Sequence, residues 1–163
     1  MTKHIHLSLD AMGGDYAPDI IIEGAAQSKI RYPNLIFSFF GNKEKIVPLI
    51  NSFKTLENSN VIHTNEIIEA NDKPSVAVRK GKNSSMGMAI QLVKSGKADA
   101  LVSAGNTGAL MAMTKLLLRP MDGITRPAIA AYFPTIVGES CMLDLGANIE
   151  CDAKNLVQFA FMG

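Results

Sequence analysis

Six consecutive residues, Ser103-Ala104-Gly105-Asn106-Thr107-Gly108, combine two glycines with short hydroxyl and amide side chains. Such a set suits an anion. Glycine lets the backbone approach closely, and the polar side chains and main-chain N–H groups donate hydrogen bonds. A second cluster is Asp10-Ala11-Met12-Gly13-Gly14-Asp15. Gly13 and Gly14 open conformations closed to other residues, whereas Asp10 and Asp15 repel a phosphate and can instead hold turn geometry through their own backbone. A third cluster, Arg79, Lys80, Lys82, Asn83, Ser84 and Ser85, sets cations beside a Ser-Ser helix start. It can complete an anion site or form a solvated basic face. Asp144, Gly146 and Asn148 repeat the small polar pattern, with an Asx turn as the structural alternative. Neither the G-x-x-x-x-G-K-[ST] nor the G-x-G-x-x-G nucleotide pattern occurs, which points away from nucleotide ligands.

The segments around these clusters predict how they are held. Ile5–Leu9 alternates as a strand and leads into the Asp10 cluster. Ile20, Ile21, Ile22, Ala25 and Ile30 mark a helix ending near Tyr32-Pro33. Leu35–Phe40 is a continuous apolar run, expected of a strand covered on both faces. A short helix over Lys43–Phe53 and a strand at Val61–Thr64 follow. The acidic connection Asn65–Lys73 leads to helical stretches at Ser75–Arg79 and Met86–Lys94, the latter capped by Ser84-Ser85. Ala100-Leu101-Val102 is a strand, and the apolar run to Leu118 a helix. Both are expected to be buried, since Asp99 and Lys115 are the only charges from Ala98 to Leu118. Two more strands, Ala128–Phe133 and Cys141–Leu145, are separated by Pro134–Ser140, and Cys151–Met162 forms a last helix. Strands alternating with helices predict a mostly parallel sheet with helices on both faces. In such sheets ligands bind at the carboxyl ends of the strands, which is where the Asp10 and Ser103 clusters fall.

Composition narrows the classes. The 163 residues suit one α/β domain over 1–163 with a real core. A net charge of +1 and the absence of Trp give no support to nucleic-acid binding. Cys141 and Cys151 form neither a disulfide framework nor a zinc motif, which fits a reducing, cytoplasmic setting. Cys141, in an apolar strand, is expected to be a small buried hydrophobe. His4, His6 and His63 read as strand residues rather than ligands.

Taken together, Asp10–Asp15 with Ala17-Pro18, Ser84-Ser85-Met86, Ser103–Ala109 and Asp144–Asn148 resemble the bacterial phosphate acyltransferase family of phospholipid synthesis. The resemblance runs along the whole chain in order and covers the N-terminal half of such proteins. It implies a Rossmann-like three-layer α/β/α fold, truncated here, and transfer of a fatty acyl group from acyl carrier protein to inorganic phosphate, giving acyl phosphate. It also implies a homodimer, peripheral association with the membrane, no cofactor and no metal. With it, Asn106, Ser103 and Lys82 become candidates for the catalytic step. Gly13, Gly14, Arg79, Ser84, Ser85, Gly105, Thr107, Gly108, Asp10 and Asn148 become candidates for binding phosphate or the acyl group, and Arg79 also for meeting the acidic carrier protein. Two other classes fit the same residues: a phosphotransacetylase-like or dehydrogenase-like enzyme using a phosphate-bearing ligand, and a non-catalytic remnant.

Overall fold

The computed structural model describes residues 4–163 apart from 147 and 149. The chain divides into two compact units, Met1–Leu118 and Arg119–Gly163.

The first unit is built on a four-stranded parallel sheet. Its strands are β1 (Ile5–Asp10), β2 (Leu35–Gly41), β3 (Asn60–His63) and β4 (Ala100–Val102), in the order β3-β2-β1-β4. The helices are α1 (Asp19–Arg31), α2 (Lys43–Asn51), α3 (Pro74–Lys80), α4 (Ser85–Lys94) and α5 (Thr107–Leu117). Side chains of a strand point alternately to its two faces, and β1 shows how each face is used. Leu9 joins a core with Ile22 and Ala25 of α1 and Ile46 and Ile50 of α2. Ser8, fully buried, instead donates to the Ala89 carbonyl of α4 at 2.9 Å. The buried hydroxyl is thereby satisfied and ties the sheet to the helix. β2 is covered on both faces, as its apolar run predicts. Its central Ser38 is buried, with Oγ 2.9 Å from His6 Nε2. Phe39, wholly buried, contributes about 2–3 kcal/mol of burial. A second core joins Ala77 of α3, Met86 and Ile90 of α4, and Ala109 and Met113 of α5.

Two expectations are corrected here. β4 lies at the edge of the sheet, Val102 is 49% exposed, and α5 buries only Ala109 and Met113 outright. The cause is that among the described residues β4 has a pairing partner, β1, on one side only.

The second unit holds β5 (Ala130–Thr135), β6 (Gly138–Leu143) and α6 (Ala153–Met162). β5 and β6 pair antiparallel in a sheet of their own, with Thr135 opposite Gly138. Pairing therefore runs through Pro134 and Glu139-Ser140, inside the connection expected from sequence, and the turn shrinks to Ile136-Val137. Cys141 is exposed rather than buried, because a two-stranded ribbon has no second layer of its own to cover it. α6 opens with a capping box in which Asp152 accepts from Asn155 N–H at 2.8 Å and Asn155 accepts from Asp152 N–H at 3.2 Å.

Candidate functional site

The strand order makes the site. From β1 the chain winds outward through β2 to β3, then returns to place β4 on the other side of β1. The connections leaving β1 and β4 thus diverge, and the crevice between them is the position where doubly wound sheets take ligands. Here those connections are residues 11–18 and 103–106. A cleft of about 640 Å³ opens over them, lined among others by Met12, Gly14, Asp15, Gly105, Asn106, Thr107 and Gly108.

The two loops touch through their glycines. A Cβ added to Gly13 would stand 2.5 Å from Asp10 Oδ2 and 2.9 Å from both Gly105 N and Ser103 Oγ. Gly14 has a φ of +105°, and its Cβ would meet the Ala104 carbonyl oxygen at 3.0 Å. Glycine is therefore required at both positions, by contact at Gly13 and by conformation and contact at Gly14. Beneath them Asp10 is 2% exposed. Its Oδ2 accepts from the Ser103 hydroxyl at 2.8 Å and its Oδ1 from Met12 N–H at 3.4 Å. Ser103 Oγ in turn accepts from Gly105 N–H at 3.1 Å.

Asn106 opens α5. Its Oδ1 accepts from Ala109 N–H at 2.9 Å, a side-chain cap. Its Nδ2 lies 3.3, 2.9 and 2.9 Å from the carbonyl oxygens of Glu69, Ala70 and Asp72. With two hydrogens for three acceptors, one of these bonds is shared. The amide thus fastens the connection after β3, which supplies Ile67, Ile68, Glu69 and Ala70 to the opposite side of the cleft. That connection is itself stitched to the start of α4. Ser85 N–H donates to the Glu66 carbonyl at 2.9 Å, and Thr64 Oγ1 donates to the Asn83 carbonyl at 2.8 Å while accepting from Glu66 N–H at 3.1 Å. The main-chain N–H groups of Thr107 and Gly108 lie in the first turn of α5, where no intrahelical acceptor exists. Both residues line the cleft, and the N-terminal end of a helix favours negative charge.

The remaining candidates lie elsewhere. Ser84 and Ser85 are buried. Ser84 Oγ caps α4 by accepting from Gly87 N–H at 3.1 Å and donates to the Gly81 carbonyl at 2.6 Å. Ser84 lines a separate cavity of about 270 Å³ with Lys80 and Asp72, sharing Ile67 and Ile68 with the main cleft. Arg79 and Lys82 are exposed and line neither cavity. Asn148 belongs to the second unit. Its Nδ2 donates to Asp144 Oδ1 at 2.9 Å and to the Pro127 carbonyl at 3.1 Å, and its N–H to Asp144 Oδ1 at 3.1 Å. Ala147 of that motif lies outside the described residues. Cys151 donates its thiol to Asp144 Oδ2 at 3.3 Å. Local desolvation, then the Asp144 carboxylate, pushes that thiol above its ordinary value, opposite to what a nucleophile needs.

Sequence reasoning missed the far side of the cleft. Met12 sat inside a recognised cluster, but nothing marked Ile67–Ala70. Its part in the site is played by carbonyl groups, which every residue carries. Gly87 was also missed, although a glycine inside a helical stretch costs about 1 kcal/mol against alanine and so asks for a compensating reason. Among the described residues no group of three or more His, Cys, Asp or Glu is placed to hold a metal ion, and no helix is long and apolar enough to cross a membrane.

A parallel sheet wound in both directions from its centre, helices on each face and glycine-rich loops at the switch point define a doubly wound, Rossmann-like α/β protein. Comparison with known proteins narrows the class. The chain belongs to the family described as fatty acid synthesis protein, whose model matches residues 5–163. Among its relatives are proteins named phosphate acyltransferase. That of Rhodospirillum centenum is 54% identical over all of this chain and 46% of its own length. Those of Rhodospirillum rubrum and Parvibaculum lavamentivorans are 49% and 50% identical, again over all of this chain and 47% and 46% of their own lengths. The chain thus spans about half the length of the curated relatives it matches.

Proposed function

We propose that this chain supplies the phosphate-binding part of an acyltransferase that moves a fatty acyl group from acyl carrier protein to inorganic phosphate, serving phospholipid synthesis. The observation that supports this most is the mouth of the cleft. There Thr107 and Gly108, in the first turn of α5, line a space bounded by two glycine-rich loops. Relatives named phosphate acyltransferase match the chain from end to end.

In the proposed reaction a phosphate oxygen attacks the thioester carbonyl carbon. The new C–O bond forms, the C–S bond breaks, and the thiolate leaves and takes a proton. Phosphate near neutral pH is already an anionic nucleophile, so positioning and stabilisation of charge are the main tasks. Thr107 and Gly108 N–H groups hold the phosphate. Gly13, Gly14 and Gly105 let the backbone approach it, and Asp10 lies buried beneath the two loops. Ser103 and Asn106 keep the loop in the geometry the step needs. Asp15 and Glu69 also line the cleft and oppose an anion, but both are exposed, where water reduces the repulsion to about 1 kcal/mol or less. Lys82 and Arg79 serve as outlying cations for phosphate or for the acidic carrier protein, with Ser84 and Ser85 shaping the helix start beside them. In the second unit, Asn148 and Asp144 order the loop that follows β6. In the full-length protein a homodimer at the membrane surface in the cytoplasm is the expected assembly.

Asn106→Ala tests the reading. It removes the cap of α5 and the clamp on 69–72 together. Acyl-phosphate formation by the full-length protein is expected to fall by about 10-fold or more, the effect of losing a helix cap and a clamp worth roughly 1–2 kcal/mol to the loop geometry, with the fold retained. Unchanged turnover and unchanged dependence on phosphate would rule the assignment out. Assays with coenzyme A thioesters or a nicotinamide cofactor in place of acyl carrier protein separate the other enzyme classes.

A further inference from the structure

We infer that Asp10 is the positioning residue of the cleft, acting on the phosphate loop through Ser103; this rests on the phosphate reading given above. Asp10 ends β1, in the interior of the sheet, and is 2% exposed. A side chain so placed cannot itself reach a ligand in the cleft, and it does not line it. Both its oxygens accept, one from Met12 N–H in its own loop and one from the Ser103 hydroxyl in the loop 93 residues away. Ser103 has a single proton, committed to Asp10. Its oxygen is left to accept from Gly105 N–H at 3.1 Å. The chain of bonds therefore runs in one direction, Gly105 N–H to Ser103 to Asp10, and ends on the only acceptor in it that gives no proton back. It fixes the peptide plane at Gly105, two and three residues before the free N–H groups of Thr107 and Gly108. Gly13 packs against all three members at once, since its absent Cβ would approach Asp10, Ser103 and Gly105 alike. The Ser103 end of the loop is thus tied to the rigid end of β1, while Asn106 holds its other end.

Asn at position 10 has the right shape and the wrong chemistry. With its oxygen kept on Met12 N–H it turns NH2 to Ser103, whose oxygen must then accept from that NH2 as well as from Gly105 N–H, while the hydroxyl proton loses the acceptor Asp10 gave it. The experiment uses the intact protein, with amide hydrogen exchange at Gly105 and titration with inorganic phosphate read by NMR. Asp10→Asn and Ser103→Ala are each expected to speed Gly105 exchange and weaken phosphate binding by about 10-fold, while amides in the middle of β2 keep their protection. Asp10→Asn/Ser103→Ala should be no worse than either single change, because the two act as one unit. Ser103→Thr, which keeps the hydroxyl, should stay near wild type. Wild-type exchange at Gly105 in Asp10→Asn, or losses that add in the double variant, would overturn the inference. Should Asp10→Asn not fold, Ser103→Ala and Ser103→Thr decide by the same two readouts. A wild-type protein that ignores phosphate would sink the phosphate reading alone, leaving the exchange comparison to judge the relay.

Discussion

Gly87→Ala is expected to destabilise the first unit by about 3 kcal/mol, the upper end of the cost of overpacking. A Cβ at this position would stand 2.0 Å from the Gly81 carbonyl oxygen and 2.8 Å from that of Lys82. Both obstacles are main chain, so no side chain can swing aside. Residues 81–83 must move instead, and they are held from several directions. The Gly81 carbonyl accepts from Ser84 N–H and from Ser84 Oγ, and the Lys82 carbonyl accepts from Gln91 Nε2 at 2.7 Å. Gly81 itself is packed between Ile68 and Met113, whose side chains lie 2.7 and 3.0 Å from where its own Cβ would be. A shift there loosens the core joining α3, α4 and α5 and disturbs Ile68, which lines the cleft. Chemical denaturation measures the effect as a lowered midpoint. Gly24→Ala is the control. Gly24 lies in the exposed part of α1 with nothing within 4 Å of the added Cβ, and it should gain about 0.5–1 kcal/mol from helix propensity. Equal midpoints for the two variants would contradict the packing assigned to Gly87.

Gly13→Ala is expected to cut phosphate affinity and acyl-phosphate formation by about 100-fold, a loss of the size that follows a misplacement of about 1 Å. Its methyl group would lie 2.5 Å from Asp10 Oδ2 and 2.9 Å from Gly105 N and Ser103 Oγ. Relief requires the Ser103–Gly108 loop to move away from β1, carrying the N–H groups of Thr107 and Gly108 with it. The core of the sheet lies below this contact, so stability should fall far less than for Gly87→Ala. Phosphate titration and turnover measured beside a thermal midpoint separate the two effects. An affinity within 2- to 3-fold of wild type would show that the two loops need not touch for phosphate to bind.

Much of this was legible from local pattern. Alternation in Ile5–Leu9 and the apolar run Leu35–Phe40 marked the central strands, because burial on one or both faces selects residue type position by position. Glycine pairs marked the two switch-point loops for a similar reason, since few residues tolerate such close backbone contact. The burial of β4 and of Cys141 was misjudged. An apolar composition records that a segment can be covered, and a neighbour in space decides whether it is.

What the amino-acid order sufficed to specify, then, was the alternation of strand and helix, the family and the loops at the strand ends. Each rests on side chains close together in the chain. The tertiary structure alone decided the roles inside the cleft. Asn106 is tied by its amide to carbonyls more than 30 residues away, and the Ser103 hydroxyl donates a hydrogen bond to Asp10, 93 residues away. Gly87 is required by the Gly81 carbonyl. These are main-chain acceptors and buried polar atoms brought together by the winding of the sheet, and a carbonyl group has the same chemistry at every position until the fold chooses what it meets.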